Sequence, residues 1–226
     1  MTSKDSSIVR PRLDVWSDIA CPWCFIGKRR LDAALSQLPE GDRPEVVFHA
    51  FELRPDLPEH TAEPARPMLE SKFGGAVRFA QVFARVQSVA EACGITYDLD
   101  GQLAVNTRLA HRGVVLARRL AEEGGRDPDV TQGVAVERFF QAFFEQGKNL
   151  ADIDTVAGIV ADAAGVDAAV VRGRLADGEG TAEVIADEDD ARSLAITGVP
   201  FFVLNGRLSM SGAQETDTFV DFLAER

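Results

Sequence analysis

The stretch "DIACPWCFIGKRRL", Asp18 to Leu31, holds the decision about the fold. Cys21 and Cys24 stand two residues apart, just ahead of a helix-like run. Three chemistries use such a pair: a redox dithiol, half of a zinc site, or two ordinary core cysteines. Before the pair, "RLDVW" (residues 12–16) alternates Leu13 and Val15 with polar neighbours, as a short half-buried strand does. Asp18 to Pro22 then turn into a helix, and Pro22 suits its first turn, where a missing N–H costs nothing. Phe25, Ile26, Leu31, Ala34, Leu35 and Leu38 recur at helical spacing until Pro39 and Gly41. "EVVFHAF", Glu45 to Phe51, is a second strand by its β-branched and aromatic content. A β-α-β order implies a crossover and a parallel pair.

Beyond it, Pro55, Pro58, Pro64 and Pro67 mark a loop. Helical spacing follows over Ala76 to Ala90, with Gly94 as its cap, and over Asn106 to Glu123. A further helix, Val130 to Gln146, crowds Phe139, Phe140, Phe143 and Phe144, read as core. Asp152 and Asp154 cap shorter helices, and Thr181 to Ala195 predicts another. Strand character returns in "GVPFFVLNGRLSMSG" (198–212), where Asn205-Gly206 between apolar runs predicts a hairpin; a last helix spans Glu215 to Leu223. The expected fold class is therefore α/β: a four-stranded mixed sheet, β-α-β then β-β-α, with an inserted all-helical domain. Residues 10–60 and 196–226 form the sheet-bearing halves, and 61–195 the insertion. Cys21 falls between a strand's C-terminal end and a helix N-terminus, where open α/β sheets place their sites.

The chain of 226 residues has a formal charge of −12. That balance repels phosphate backbones and anionic membrane surfaces, so nucleic-acid and membrane partners are not expected. "MTSKDSSIVRPRLDVW" contains no apolar core of the roughly 7–15 residues a signal peptide needs. No apolar run approaches the ~20 residues of a membrane span. A cytoplasmic protein is expected, and in a reducing compartment a cysteine pair is catalytic or metal-binding rather than a permanent staple. Zinc fails on counting: only Cys93, His49, His60 and His111 remain, none at finger spacing, so no metal is expected.

The redox reading then leads. A helix N-terminus offers unsatisfied N–H groups and positive potential, and both favour a thiolate at Cys21. Cys24 lies nearly one turn further on and should be more buried, so Cys21 attacks and Cys24 resolves. Pro22 stiffens the loop and Trp23 adds an apolar wall. Lys28, Arg29 and Arg30 read as a solvated face. Val199-Pro200 precedes the hairpin and would face the dithiol; by frequency alone the bond would be trans. Asn106, Thr107 and His111 are polar candidates for lining a substrate cleft, with a helix cap (Asn106 or Thr107) and a buried histidine as the plainer readings. Cys93 reads as a buried free thiol. Glu52 and Asp14 are candidate proton carriers below the dithiol, with solvent-facing carboxylates preferred.

Taken together, "SDIACPWCFIGKRRL", "FELRPDLP", "NTRLAHRGVVLA", "TGVPFFVLNGR" and "SGAQ" resemble the DsbA-family thioredoxin-like oxidoreductases, FrnE-like branch, over almost the whole chain. The resemblance implies a thioredoxin fold with a helical insertion, a Cys21/Cys24 redox pair, a cis Pro200 and disulfide-containing or thiol substrates, protein or small molecule. Some members carry a second, C-terminal cysteine pair; here only Cys93 follows Cys24. Kappa-class glutathione transferases and 2-hydroxychromene-2-carboxylate isomerases share the layout but commonly hold serine at the position of Cys21. They supply the alternative reading: a glutathione-dependent isomerase or transferase acting on an aromatic small molecule, with glutathione as co-substrate. A homodimer is compatible with the sequence, but no interface is readable.

Overall fold

A computed structural model describes residues 10–60 and 62–225. The N-terminal residues 1–9, over which the signal-peptide reading extends, lie outside the described residues. Strand β1 (Arg12–Ser17) leads into helix α1 (Pro22–Gln37), and β2 (Glu45–Ala50) returns beside β1 in parallel. A short strand β3 (Ala62–Pro64) precedes α2 (Arg66–Phe73) and α3 (Ala76–Ala92). Strand β4 (Leu103–Val105) pairs antiparallel with β3. Helices α4 (Arg108–Glu123), α5 (Pro128–Phe140), α6 (Ile153–Ala164), α7 (Ala168–Ala176) and α8 (Thr181–Ser193) follow. The chain closes with β5 (Phe201–Leu204), β6 (Leu208–Ser211) and α9 (Thr216–Ala224).

The main sheet runs β2-β1-β5-β6, with β5 antiparallel to both of its neighbours. This is the thioredoxin-like layout, an α/β sheet with a helical insertion. The hairpin turn has positive φ at both Asn205 and Gly206, as its dipeptide demands. Asn205 Oδ1 also accepts from the Arg12 N–H at 3.0 Å, which ties the turn to β1.

Alternation assigns the two faces. Leu13, Val15, Phe48, Phe202 and Leu204 point toward α1 and α9, where Phe202 meets Phe219 edge-on at 4.9 Å. Trp16, Phe201 and Val203 point to the other face, under Ala191 of α8. The insertion is therefore not set apart by packing: one core cluster joins Leu13 and Phe25 to Phe140, Val156 and Leu175. Edge strand β2 is covered by α5, whose Gln132 side chain bonds both the N–H and the C=O of Phe48 at 3.0 and 3.1 Å.

Several local expectations change. Strand β3 and helix α2 fall within what reads as a proline loop, and β4 forms in the segment before Asn106, because strands this short carry no period. The helix expected over Val130 to Gln146 leaves α geometry at Phe140 and continues as a π turn, Gln141–Glu145, closed by Gln146 N–H to Gln141 C=O at 3.1 Å. Asp152 caps α6, whereas Asp154 lies in its first turn and pairs with Arg172. The basic run is not a solvated face. Lys28 is buried against Asp32 and Glu137, and Arg29 pairs with Glu137 at 2.7 Å.

Candidate active site

Cys21 is the N-cap residue of α1 in extended conformation (φ −94°, ψ 113°), with Pro22 at the first helical turn. The turn before it is held by Asp18, whose backbone C=O accepts the Cys21 N–H at 3.0 Å. The Cys24 N–H donates back to the Cys21 C=O, also at 3.0 Å. Both cysteines are free thiols. The Val199–Pro200 bond is cis, and the Val199 carbonyl lies 3.6 Å from Cys21 Sγ. Gly27 allows α1 this close approach: a Cβ there would stand 3.1 Å from Pro200 Cγ.

The two thiols differ in surroundings. Both are buried, but Cys21 lines a cavity of about 280 Å³ and Cys24 does not. Burial pushes the Cys24 thiol well above its ordinary value, more than the Asp18 backbone N–H and the Ser17 hydroxyl lower it. The cavity lies between the start of α1, the loop at Leu53-Arg54, helices α2 and α3, and the β3–β4 ribbon. Phe73, Phe79, Phe83, Val86, Phe143 and Phe144 give it apolar walls. The consecutive residues Phe143 and Phe144, both in the π turn, both line the cavity. Trp23 and Thr107 also line it.

Asn106 and His111 stand behind the wall instead. Asn106 is 1% exposed; its amide donates to the Leu57 C=O at 3.0 Å, and its Oδ1 accepts the Arg108 N–H at 2.9 Å. It fastens a loop and starts α4. His111 is 4% exposed, with Nε2 at 3.5 Å from Asp18 Oδ1. Cys93 is half-buried at the end of α3.

Glu52 and Asp14 are not solvent-facing. Glu52 is fully buried and accepts from Arg108 Nε at 2.8 Å; Asp14 pairs with Arg12 and His49. Neither lines the cavity. The carboxylate that does is Asp18, absent from the sequence reading. Burial pushes its carboxyl up, but His111 and the N–H groups of Leu53 (2.7 Å) and Ala20 (3.0 Å) outweigh that and hold it below the ordinary range. Tyr97 was also missed: its hydroxyl donates to the Pro22 C=O at 3.0 Å, and burial pushes the phenol upward.

Residues 12–224 match the model of the DSBA-like thioredoxin domain. The chain belongs to that family. Among curated relatives it is similar to the uncharacterized protein YwbO of Bacillus subtilis (strain 168), 28% identical over 92% of each chain. Among solved structures it is similar to the probable DsbA oxidoreductase SCO1869 of Streptomyces coelicolor, 35% identical, TM-score 0.82, over 96% of this chain and 92% of that one. The cytosolic disulfide reductase DsbM of Pseudomonas aeruginosa shares the fold, at 17% identity and TM-score 0.64 over 94% and 97%. Within this DSBA-like family the chemistry belongs to thiols and disulfides. Among the described residues no helix is long and apolar enough to cross a membrane, and no group of three His, Cys, Asp or Glu side chains could hold a metal.

Proposed function

We propose that this protein is a cytoplasmic thiol–disulfide oxidoreductase in which Cys21 attacks and Cys24 resolves. The observation that carries the reading is the contrast between the sulfurs: Cys21 opens on the cavity at a helix N-terminus, and Cys24 lies behind it with a thiol kept neutral by burial. The 35% identity to a probable DsbA oxidoreductase supports it. Cys21→Ser should lower disulfide exchange about 10³-fold or more, as loss of a nucleophile does. Cys24→Ser should accumulate a mixed disulfide at Cys21, visible by intact mass. Full activity without Cys21 would sink the reading.

The apolar cavity keeps a second reading in play, the glutathione-dependent isomerase or transferase on an aromatic molecule. That enzyme would bind glutathione saturably and keep its activity in Cys24→Ser. A titration of the Cys21/Cys24 pair against glutathione separates the two: a two-electron transition fits the oxidoreductase, a stable glutathione adduct the alternative.

A further inference from the structure

We propose that the cavity beside Cys21 takes a small thiol or disulfide with an apolar body and an anionic group, the anion held at Arg54. The inference rests on the oxidoreductase reading and names the substrate class of the same site.

Size comes first. About 280 Å³ sits at the small end of ligand pockets, which run roughly 300–1,000 Å³. It suits one compact group. The walls come second. An extended peptide brings an N–H and a C=O with every residue, and each needs a partner once it leaves water. Phenylalanines 73, 79, 83, 143 and 144 supply none. An apolar body loses nothing by entering.

Arg54 comes third. The chain carries 36 acidic against 24 basic side chains, and many of its cations have a carboxylate in ion-pair contact, although Arg43, Arg112 and Arg207 do not among the described residues. Arg29, Arg30, Arg108, Arg118, Arg119 and Arg174 each have one. Arg54 lines the cavity half-buried, and among the described residues its guanidinium is ion-paired to none. Among the described residues its side chain bonds Met68 Sδ, a weak acceptor. Burial lowers its pKa, while Asp18 and Asp56 attract it from further away. Most of its five donors are left for a ligand, and a carboxylate or sulfonate matches their fork. Lys72 adds a second positive charge to the lining. The Asp18 carboxylate also lines the cavity, but its oxygens accept from the Ala20 and Leu53 N–H groups and stand outside ion-pair contact with Arg54.

The exchange balances without another reactant. The Cys21 thiolate attacks one sulfur of the ligand disulfide, that S–S bond breaks, and the distal half leaves as a thiolate. Cys24 loses its proton, its sulfur attacks Cys21 Sγ, and the held half leaves. The ligand gains two electrons and the two thiol protons, and the protein is left with a Cys21–Cys24 disulfide.

The test separates cavity from redox chemistry. Cys21→Ser/Cys24→Ser protein is titrated with 8-anilinonaphthalene-1-sulfonate and with its uncharged counterpart, N-phenyl-1-naphthylamine. One saturable site is expected, with 2-nitro-5-thiobenzoate displacing the sulfonate. Arg54→Ala should lower the ratio of sulfonate to neutral affinity about tenfold, the size of one charge-assisted hydrogen bond, and Arg54→Lys, which keeps the charge but not the fork, should restore only part of it. Should the alanine variant unfold, Arg54→Gln repeats the measurement. No saturable site, or a ratio that Arg54→Ala leaves unmoved, overturns the proposal. Reduced wild-type protein is then mixed with 5,5′-dithiobis(2-nitrobenzoate) and with a neutral peptide disulfide. Each rate is divided by that of a free thiol with the same disulfide, because the nitrothiobenzoate leaving group makes the first fast with any thiol; a normalised rate that favours the peptide overturns the substrate class. Sulfonate binding with no exchange of either disulfide upholds the anion site and removes the redox reading.

Discussion

The two sides of this molecule treat charge in opposite ways. Under α8, charge is closed off. His49 lies between Asp14 and Asp187 at 2.8 and 2.6 Å and stacks on Trp16 with centroids 4.6 Å apart. Asp187 also accepts from the Ala50 N–H through its carboxylate, and from the Trp16 indole through its backbone carbonyl. At the cavity, Arg54 and Lys72 have no carboxylate in ion-pair contact among the described residues, and the other walls are mostly apolar. A face that only has to hold the fold can satisfy most of its polar groups internally. A face that must receive a ligand has to leave some unsatisfied.

The contrast can be broken by substitution. The largest expected loss lies behind the cavity. Phe140 is fully buried and stacks on Phe25 at 5.0 Å, joining α5 to α1. Phe140→Ala should cost about 3–5 kcal/mol in urea unfolding, the range for emptying a packed aromatic site. A loss under about 1 kcal/mol would show that the wall collapses freely.

Next is the closed face. Burial pulls the His49 pKa down, but its bonds to Asp14 and Asp187 outweigh that and raise it from 6.5 to about 9. A pKa raised in the folded state gives stability that is fully present below pH 6.5 and lost as pH rises through about 9. The shift corresponds to about 3 kcal/mol. Urea midpoints should fall across that window, and His49→Gln should flatten the fall. A wild-type midpoint independent of pH from 6 to 9.5 would refute the pairing.

The smallest effect sharpens the cavity side. Tyr97→Phe removes only the bond to the Pro22 C=O and should cost about 1 kcal/mol. The pH dependence set by His49 should stay unchanged. A change in that dependence would mean that the two sides are coupled.

Much of the fold was legible because its signals are local. The pattern of Leu13 and Val15, Pro22 at a first helical turn, and Asn205-Gly206 between apolar runs each involve a few neighbouring residues. The ribbon β3–β4 was not legible, since three-residue strands pair only with a distant partner. The candidate site divides the same way. Cys21 and Cys24 could be read from their spacing and context. Asp18 and Tyr97 could not, although Asp18 lies three residues before Cys21. Nothing in a sequence marks a carboxylate as buried, and Tyr97 reaches Pro22 across 75 positions.

By itself the sequence determined the order of elements, the dithiol between strand and helix, and an acidic chain unsuited to nucleic acid. Periodicity, turn chemistry and net charge are properties of the chain before it folds. Only the tertiary structure decided which thiol faces the cavity, that Glu52 and Asp14 are ion-paired while Asp18 floors the site, and that Arg54 has no carboxylate in ion-pair contact among the described residues. Burial and pairing depend on which distant segments meet, and that is settled when α2, α3 and the ribbon close over the start of α1.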